Sequence, residues 1–144
     1  MSDFFNLYYH PIYTAGINKK SKFPRERYQL LYEKLILDIA NYNIQFKNSE
    51  IIDKSTINRI HDSEYVDRFF NSKLDKKEIR RIGLKPWRHN IIDRTLRITG
   101  GSIAAMKDAI LSGGLSGNMA GGTHHAHRGF GSGFCIFNDM HYLY

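Results

Sequence analysis

Gly121-Gly122-Thr123-His124-His125-Ala126-His127, followed after a five-residue spacer by Gly133-Phe134-Cys135-Ile136-Phe137-Asn138-Asp139, decides how this chain is read. Eight of its twelve glycines fall between Gly113 and Gly133, a stretch without proline. Such density marks a backbone that turns sharply or approaches another group closely. Adjacent histidines in such a loop are candidate acid/base groups, because imidazole titrates near neutrality. Two other readings stay open on these residues alone: a metal cluster drawn from His124, His125, His127 and Cys135, and histidines simply hydrogen-bonded within a turn. Against the metal cluster, neighbours in an extended segment point opposite ways and no carboxylate stands at ligand spacing. A phosphate loop is excluded, since Gly129-x-Gly131-x-Gly133 matches neither glycine fingerprint.

Working outward, the chain alternates strand and helix signals. Asn6–Tyr9 reads as a first strand ended by His10-Pro11. Pro24 can open a helix over Arg25–Tyr42, where Tyr28, Leu31, Tyr32, Leu35, Ile39 and Tyr42 recur every three or four residues. Ser63 suggests a capped helix over 64–71. A long helix is predicted from Arg88 to Leu111, with Gly100-Gly101 inside it for close packing and Gly113-Gly114 closing it. Leu115–Ala120 is a small-residue segment, and Asn138-Asp139 can cap a further helix. This order predicts an α/β fold with a helix-covered parallel sheet. A strand near Met119 would then have an unpaired edge.

At 144 residues the chain has one domain's length, and its 42% hydrophobic and 24% charged residues are ordinary globular values. A single cysteine excludes an internal disulfide and any cysteine-based zinc cluster. The first twenty residues carry no secretory pattern, and the longest uncharged stretch, Ala109–His127, is too glycine- and histidine-rich to span a bilayer. A cytoplasmic protein without membrane partners is expected. The net charge is +7, and the middle third, residues 51–100, carries 12 basic against 7 acidic residues. Asp67, Asp75 and Glu78 interleave with those cations at helical spacing, which points to a solvated helix face and to no specific nucleic acid.

The block from Gly121 to Asp139 resembles the signature of the zinc-dependent histone deacetylase and acetylpolyamine amidohydrolase family. The resemblance extends upstream through Tyr9-His10-Pro11, Phe23-Pro24, and His61-Asp62-Ser63-Glu64-Tyr65-Val66. Arg81-Ile82-Gly83-Leu84 with Trp87, and Thr99-Gly100-Gly101-Ser102, are most similar to the bacterial, class IV-like branch. The resemblance implies the three-layer, parallel-sheet arginase/deacetylase-like fold. Residues 1–144 would then be the N-terminal portion of a single deacetylase-like domain, incomplete at its C-terminus, from a truncated or interrupted gene.

In that family a zinc-bound water attacks the amide of acyl-lysine or acetylpolyamine, and zinc lowers the pKa of that water. The resemblance implies that His124 supports the water and His125 passes the proton to the leaving amine. Gly133 would offer its carbonyl to the substrate amide, Phe134 would wall the acyl-lysine tunnel, and Cys135 would pack behind it. The family's zinc ligands, an Asp-x-His and a later Asp, follow the signature, as do the carboxylates that pair with the histidines and the carbonyl-polarising tyrosine. The resemblance places all of these beyond Tyr144, so no metal ligand is assigned, no zinc is expected in the chain alone, and the chain alone is expected to be inactive. The acidic rim residue of class I members has no clear counterpart, with Lys85 near its place, and His127 has no assigned role. A non-enzymatic, basic polyanion- or nucleic-acid-binding protein on a remnant deacetylase scaffold is the alternative.

Overall fold

The computed structural model describes residues 4–143. Three parallel strands form the sheet: β1 (Phe5–Tyr9), β2 (Ile44–Asn48) and β3 (Ser116–Asn118), in the order β2-β1-β3. Leu7 lies opposite both Phe46 and Gly117, and Tyr8 opposite both Lys47 and Asn118. This register sorts side chains onto two faces, because strand residues alternate. On one face Tyr9 stacks on Tyr32 of α2 (Glu26–Leu37), and Tyr32 meets Phe46 edge-on at 4.9 Å. On the other, α6 (Asn90–Ser112) presents Asp108, whose carboxylate accepts from Asn6 (2.9 Å), Tyr8 (2.9 Å) and Lys47 (3.1 Å). Helices on both faces of a parallel sheet make the three-layer α/β arrangement that the resemblance implied.

Between the strands run α1 (Ile12–Ala15), a short 3-10 turn at Ile39–Asn41, α3 (Lys54–Ile57), α4 (Ser63–Phe70) and α5 (Lys76–Ile82), and a second 3-10 turn, Met140–Leu143, follows β3. The core gathers Tyr13, Ile57, Tyr65, Val66, Phe69, Ile82 and Leu96 with Ile136 and Phe137 from the signature block. Helix α6 comes close to its neighbours only because of its glycine pair. A Cβ on Gly100 would overlap the Glu50 carbonyl, and one on Gly101 would sit 2.7 Å from the Tyr13 hydroxyl. Gly113, at φ +63°, closes the helix as expected. Arg94 is buried in the same helix, donating to Tyr13 O (2.9 Å) beside the Phe23 and Tyr28 rings. Desolvation lowers its pKa to about 10.

Three expectations are corrected. The helix expected to reach Tyr42 stops at Leu37, because the chain must become extended at Tyr42 to enter β2, which the sequence reading did not assign. Its apolar stripe is only partly buried: Tyr28 is buried, but Leu31 and Tyr42 are exposed. At α4 the N-cap is Asp62 and not Ser63, and the Asp62 side chain reaches away to Arg128. The edge expected near Met119 is present, since β3 lies at the end of the sheet order. Among the described residues no helix is long and apolar enough to cross a membrane.

Candidate active site

The site is assembled where β3 ends. Met119 N–H continues the ladder to Tyr8 O (2.9 Å), and the Asn118 side chain anchors the strand to α6. Its amide nitrogen donates to Ile98 O (2.9 Å) and Ser102 Oγ (3.1 Å), while its oxygen accepts from Tyr13 Oη (2.8 Å). The backbone then swings through Gly121 and Gly122, at φ +138° and +68°, conformations that strain any L side chain.

Asp139 holds the loop beyond. Its carboxylate is fully buried and accepts from Gly122 N (3.0 Å), Thr123 N (2.6 Å), Thr123 Oγ1 (2.7 Å) and Ser102 Oγ (2.6 Å). The helix cap expected at Asn138-Asp139 is made by Asn138 alone, whose Oδ1 accepts from His141 N (3.1 Å). Asp139 instead binds the loop that carries the histidines, a role that sequence reasoning missed.

His124 and His125 lie in a turn, with ring centroids 4.2 Å apart and planes inclined by 42°. The expectation that neighbouring side chains here point apart is therefore corrected, because the segment is not extended. His124 Nδ1 lies 2.7 Å from Gly122 O. A carbonyl can only accept, so Nδ1 carries the hydrogen in the neutral ring and Nε2 keeps a lone pair. His125 lies against Gly133: a Cβ there would stand 3.3 Å from the His125 Cβ and Cγ atoms, at a backbone φ of +53°.

The second arm of the loop is fixed equally firmly. Gly133 N donates to Arg81 O (3.2 Å) and Phe134 N to Ile82 O (2.7 Å), which fastens the arm to the end of α5. Phe134 is 40% exposed at φ +66° and meets Phe23 edge-on at 5.2 Å. Cys135 turns inward, where burial pushes its thiol pKa up, and its Sγ–H reaches Gly133 O at 3.4 Å. Below them Tyr65 Oη donates to Ile136 O (2.8 Å). His61 bridges the two arms: Nδ1 lies 3.1 Å from Arg128 O, and Nε2 accepts from Asn138 N at 3.0 Å. Burial lowers the His61 pKa, against the opposing pull of the Arg128 and His127 carbonyls. His127 stacks on Phe130 at 4.4 Å, away from the His124–His125 pair in its contacts.

The four site residues expected from the sequence, His124, His125, Gly133 and Phe134, thus fall on two arms that converge at the His125–Gly133 contact. Chemically the arrangement offers a free imidazole nitrogen on His124 and an adjacent second imidazole, enough to hold and relay a proton. It does not fit a resident zinc ion by itself. Among the described residues no three His, Cys, Asp or Glu are grouped to hold a metal, and the Asp139 carboxylate is already engaged by four donors.

Residues 21–142 match the histone deacetylase domain, which places the loop just described inside a recognised family. The chain belongs to the histone deacetylase family. It is 39% identical over 136 residues to an uncharacterized protein of Picosynechococcus, covering 94% of this chain and 45% of that protein. It is 27% identical over 141 residues to the acetoin utilization protein AcuC of Bacillus subtilis, covering 91% of this chain and 36% of AcuC. The chain spans less than half the length of either relative.

Proposed function

We propose that this chain supplies the proton-handling half of a deacetylase site acting on the amide of an acyl-lysine or an acetylpolyamine. The observation that carries the reading is the fixed pair: His124 held with Nε2 free, and His125 packed on the Gly133 backbone. In this reading His124 Nε2 accepts a hydrogen bond from the attacking water and orients it, and His125 takes that water's proton. His125 delivers a proton to the leaving amine, which neutralises it as the C–N bond breaks. Gly133 and Phe134 line the path of the acyl-lysine chain beside His125.

In this reading the ligands of the zinc that the family uses come from outside residues 4–143. We propose that residues 1–144 form the N-terminal portion of one deacetylase domain. A groove of about 570 Å³ beside the β3 edge, lined by Ala105, Met106, Ile110 and the Asn118–Gly122 backbone, supports this. A further strand and helix of the same sheet would fill such a groove.

The test is amide hydrolysis by the 144-residue chain and by a chimera that joins it to the remaining segment of the Picosynechococcus relative, each with equimolar zinc. The chimera is expected to release acetate in a chelator-sensitive way and the chain alone is not. His125→Ala in the chimera is expected to lower turnover by about 10²–10⁴-fold while zinc stays bound. Chelator-sensitive hydrolysis by the 144-residue chain itself would overturn the division of the site.

A further inference from the structure

Phe134 faces two ways. Through Gly133 it adjoins His125, and on its other side it closes a groove of about 610 Å³ with Gly83 and Pro86. The remaining lining residues of that groove are Lys20, Lys22, Arg80 and Lys85, with no carboxylate among them. All four cations are exposed, and none forms an ion pair among the described residues. Elsewhere, Arg68 pairs with Glu78, Lys54 with Asp67, Lys47 with Asp108 and Arg128 with Asp62. The groove therefore gathers four exposed, unpaired cations and no carboxylate beside Phe134, the chain neighbour of the Gly133 that packs on His125.

We infer that this rim selects acyl-lysines flanked by aspartate or glutamate in a protein chain, and disfavours acetylpolyamines. The inference rests on the proposed deacetylase reading and names its substrate class. An acyl group passing Phe134 would lie next to His125. The exposed cations would then meet whatever stays outside, namely the residues flanking the modified lysine. Those cations would attract carboxylates and repel a polyamine, whose free amines are protonated. Because the charges are exposed, the preference is screened by salt.

The test is peptide binding to the 144-residue chain by fluorescence anisotropy, which needs no turnover. Four labelled peptides carry a central lysine, acetylated or free, with either Asp/Glu or Lys/Arg flanks. N-acetylspermidine and a single-stranded oligonucleotide serve as competitors. The acetylated acidic peptide is expected to bind roughly five- to tenfold tighter than the acetylated basic one at 50 mM salt. That advantage is expected to vanish at 0.5 M salt and in Lys22→Glu/Lys85→Glu, and to persist in Lys85→Arg. Acetyl-dependent binding that ignores flank charge would overturn the inference and leave the deacetylase reading standing. Flank-dependent binding that ignores acetylation would overturn both. Displacement by the oligonucleotide at lower concentration than by acidic peptide would replace the inference with a nucleic-acid surface. Absence of any binding would also overturn it.

Discussion

Helix α2 and the segment 121–139 order their residues in opposite ways. The helix is regular over twelve residues, yet Leu30, Leu31, Ile36 and Leu37 face solvent, and only Tyr28 is buried. The loop has almost no repeating structure, yet it buries Ala126, Cys135, Ile136, Phe137 and Asp139. In the helix the backbone satisfies its own hydrogen bonds, so side chains are free to be placed loosely. In the loop no ladder exists, and the backbone polar groups need side-chain partners instead. Asp139, His61 and Asn138 provide them. Positional accuracy for the histidine pair thus comes from a few buried polar groups and not from regular structure.

The largest effect that would break this contrast is expected at Asp139. Asp139→Ala removes the buried acceptor that four donors share. The expected loss is about 3–5 kcal/mol of unfolding free energy, as for one partner stripped from a buried charged network. Ser102→Ala removes only one of the four and is expected to cost about 1 kcal/mol. Denaturant midpoints measure both, and a loss below about 1 kcal/mol for Asp139→Ala would show that the loop is ordered by its apolar residues.

A smaller effect, with a pH signature, is expected at His61. Its two ring nitrogens join Arg128 O to Asn138 N, and burial lowers its pKa below the usual 6.5. A depressed folded-state pKa means that the unfolded chain binds the proton more readily. The contribution is therefore complete above about pH 6.5 and is lost as pH falls towards the lower folded-state value, by at most about 1.4 kcal/mol per pH unit. Stability measured from pH 8 to pH 5 is expected to decline on the acid side, and His61→Gln is expected to flatten that decline. An unchanged slope in His61→Gln would assign the titration to another group.

Much of the fold was legible where local pattern and tertiary demand agree. The first strand, the long helix with its packing glycines and the αL closure at Gly113 all follow from short-range rules. Strand β2 was missed although Ile44-Gln45-Phe46-Lys47 alternates with the period of a strand, because the helical stripe before it was carried on to Tyr42. For helix α5 the helical spacing of its charges pointed to a solvated helix face, while its start was also marked by the Asp75…Glu78 capping box. At the site, the residue types at His124, His125, Gly133 and Phe134 could be named from the motif. The four-donor carboxylate of Asp139 and the His61 bridge could not, since both join positions far apart in sequence. The rim cations likewise come from three separate segments, and only folding gathers them.

The smallest expected effect sharpens the comparison from the helix side. Leu37 is 81% exposed at the last position of α2, and its neighbour Asp38 is the residue held by Lys34. Leu37→Gln keeps a good helix former of similar length and removes little buried apolar area. Its stability change is expected to stay within about 0.5 kcal/mol, as for other exposed substitutions. The same polar change at Phe137, which is 1% exposed and meets His61, Tyr65 and Phe69, would carry a buried amide into the core. A fully exposed leucine that nonetheless cost 2 kcal/mol on replacement by glutamine would mean that α2 is covered in solution. Its apolar outer face, not the site loop, would then be the more tightly determined region. Thermal unfolding of Leu37→Gln at two protein concentrations decides this, because a covering second copy makes the midpoint depend on concentration and an uncovered face does not.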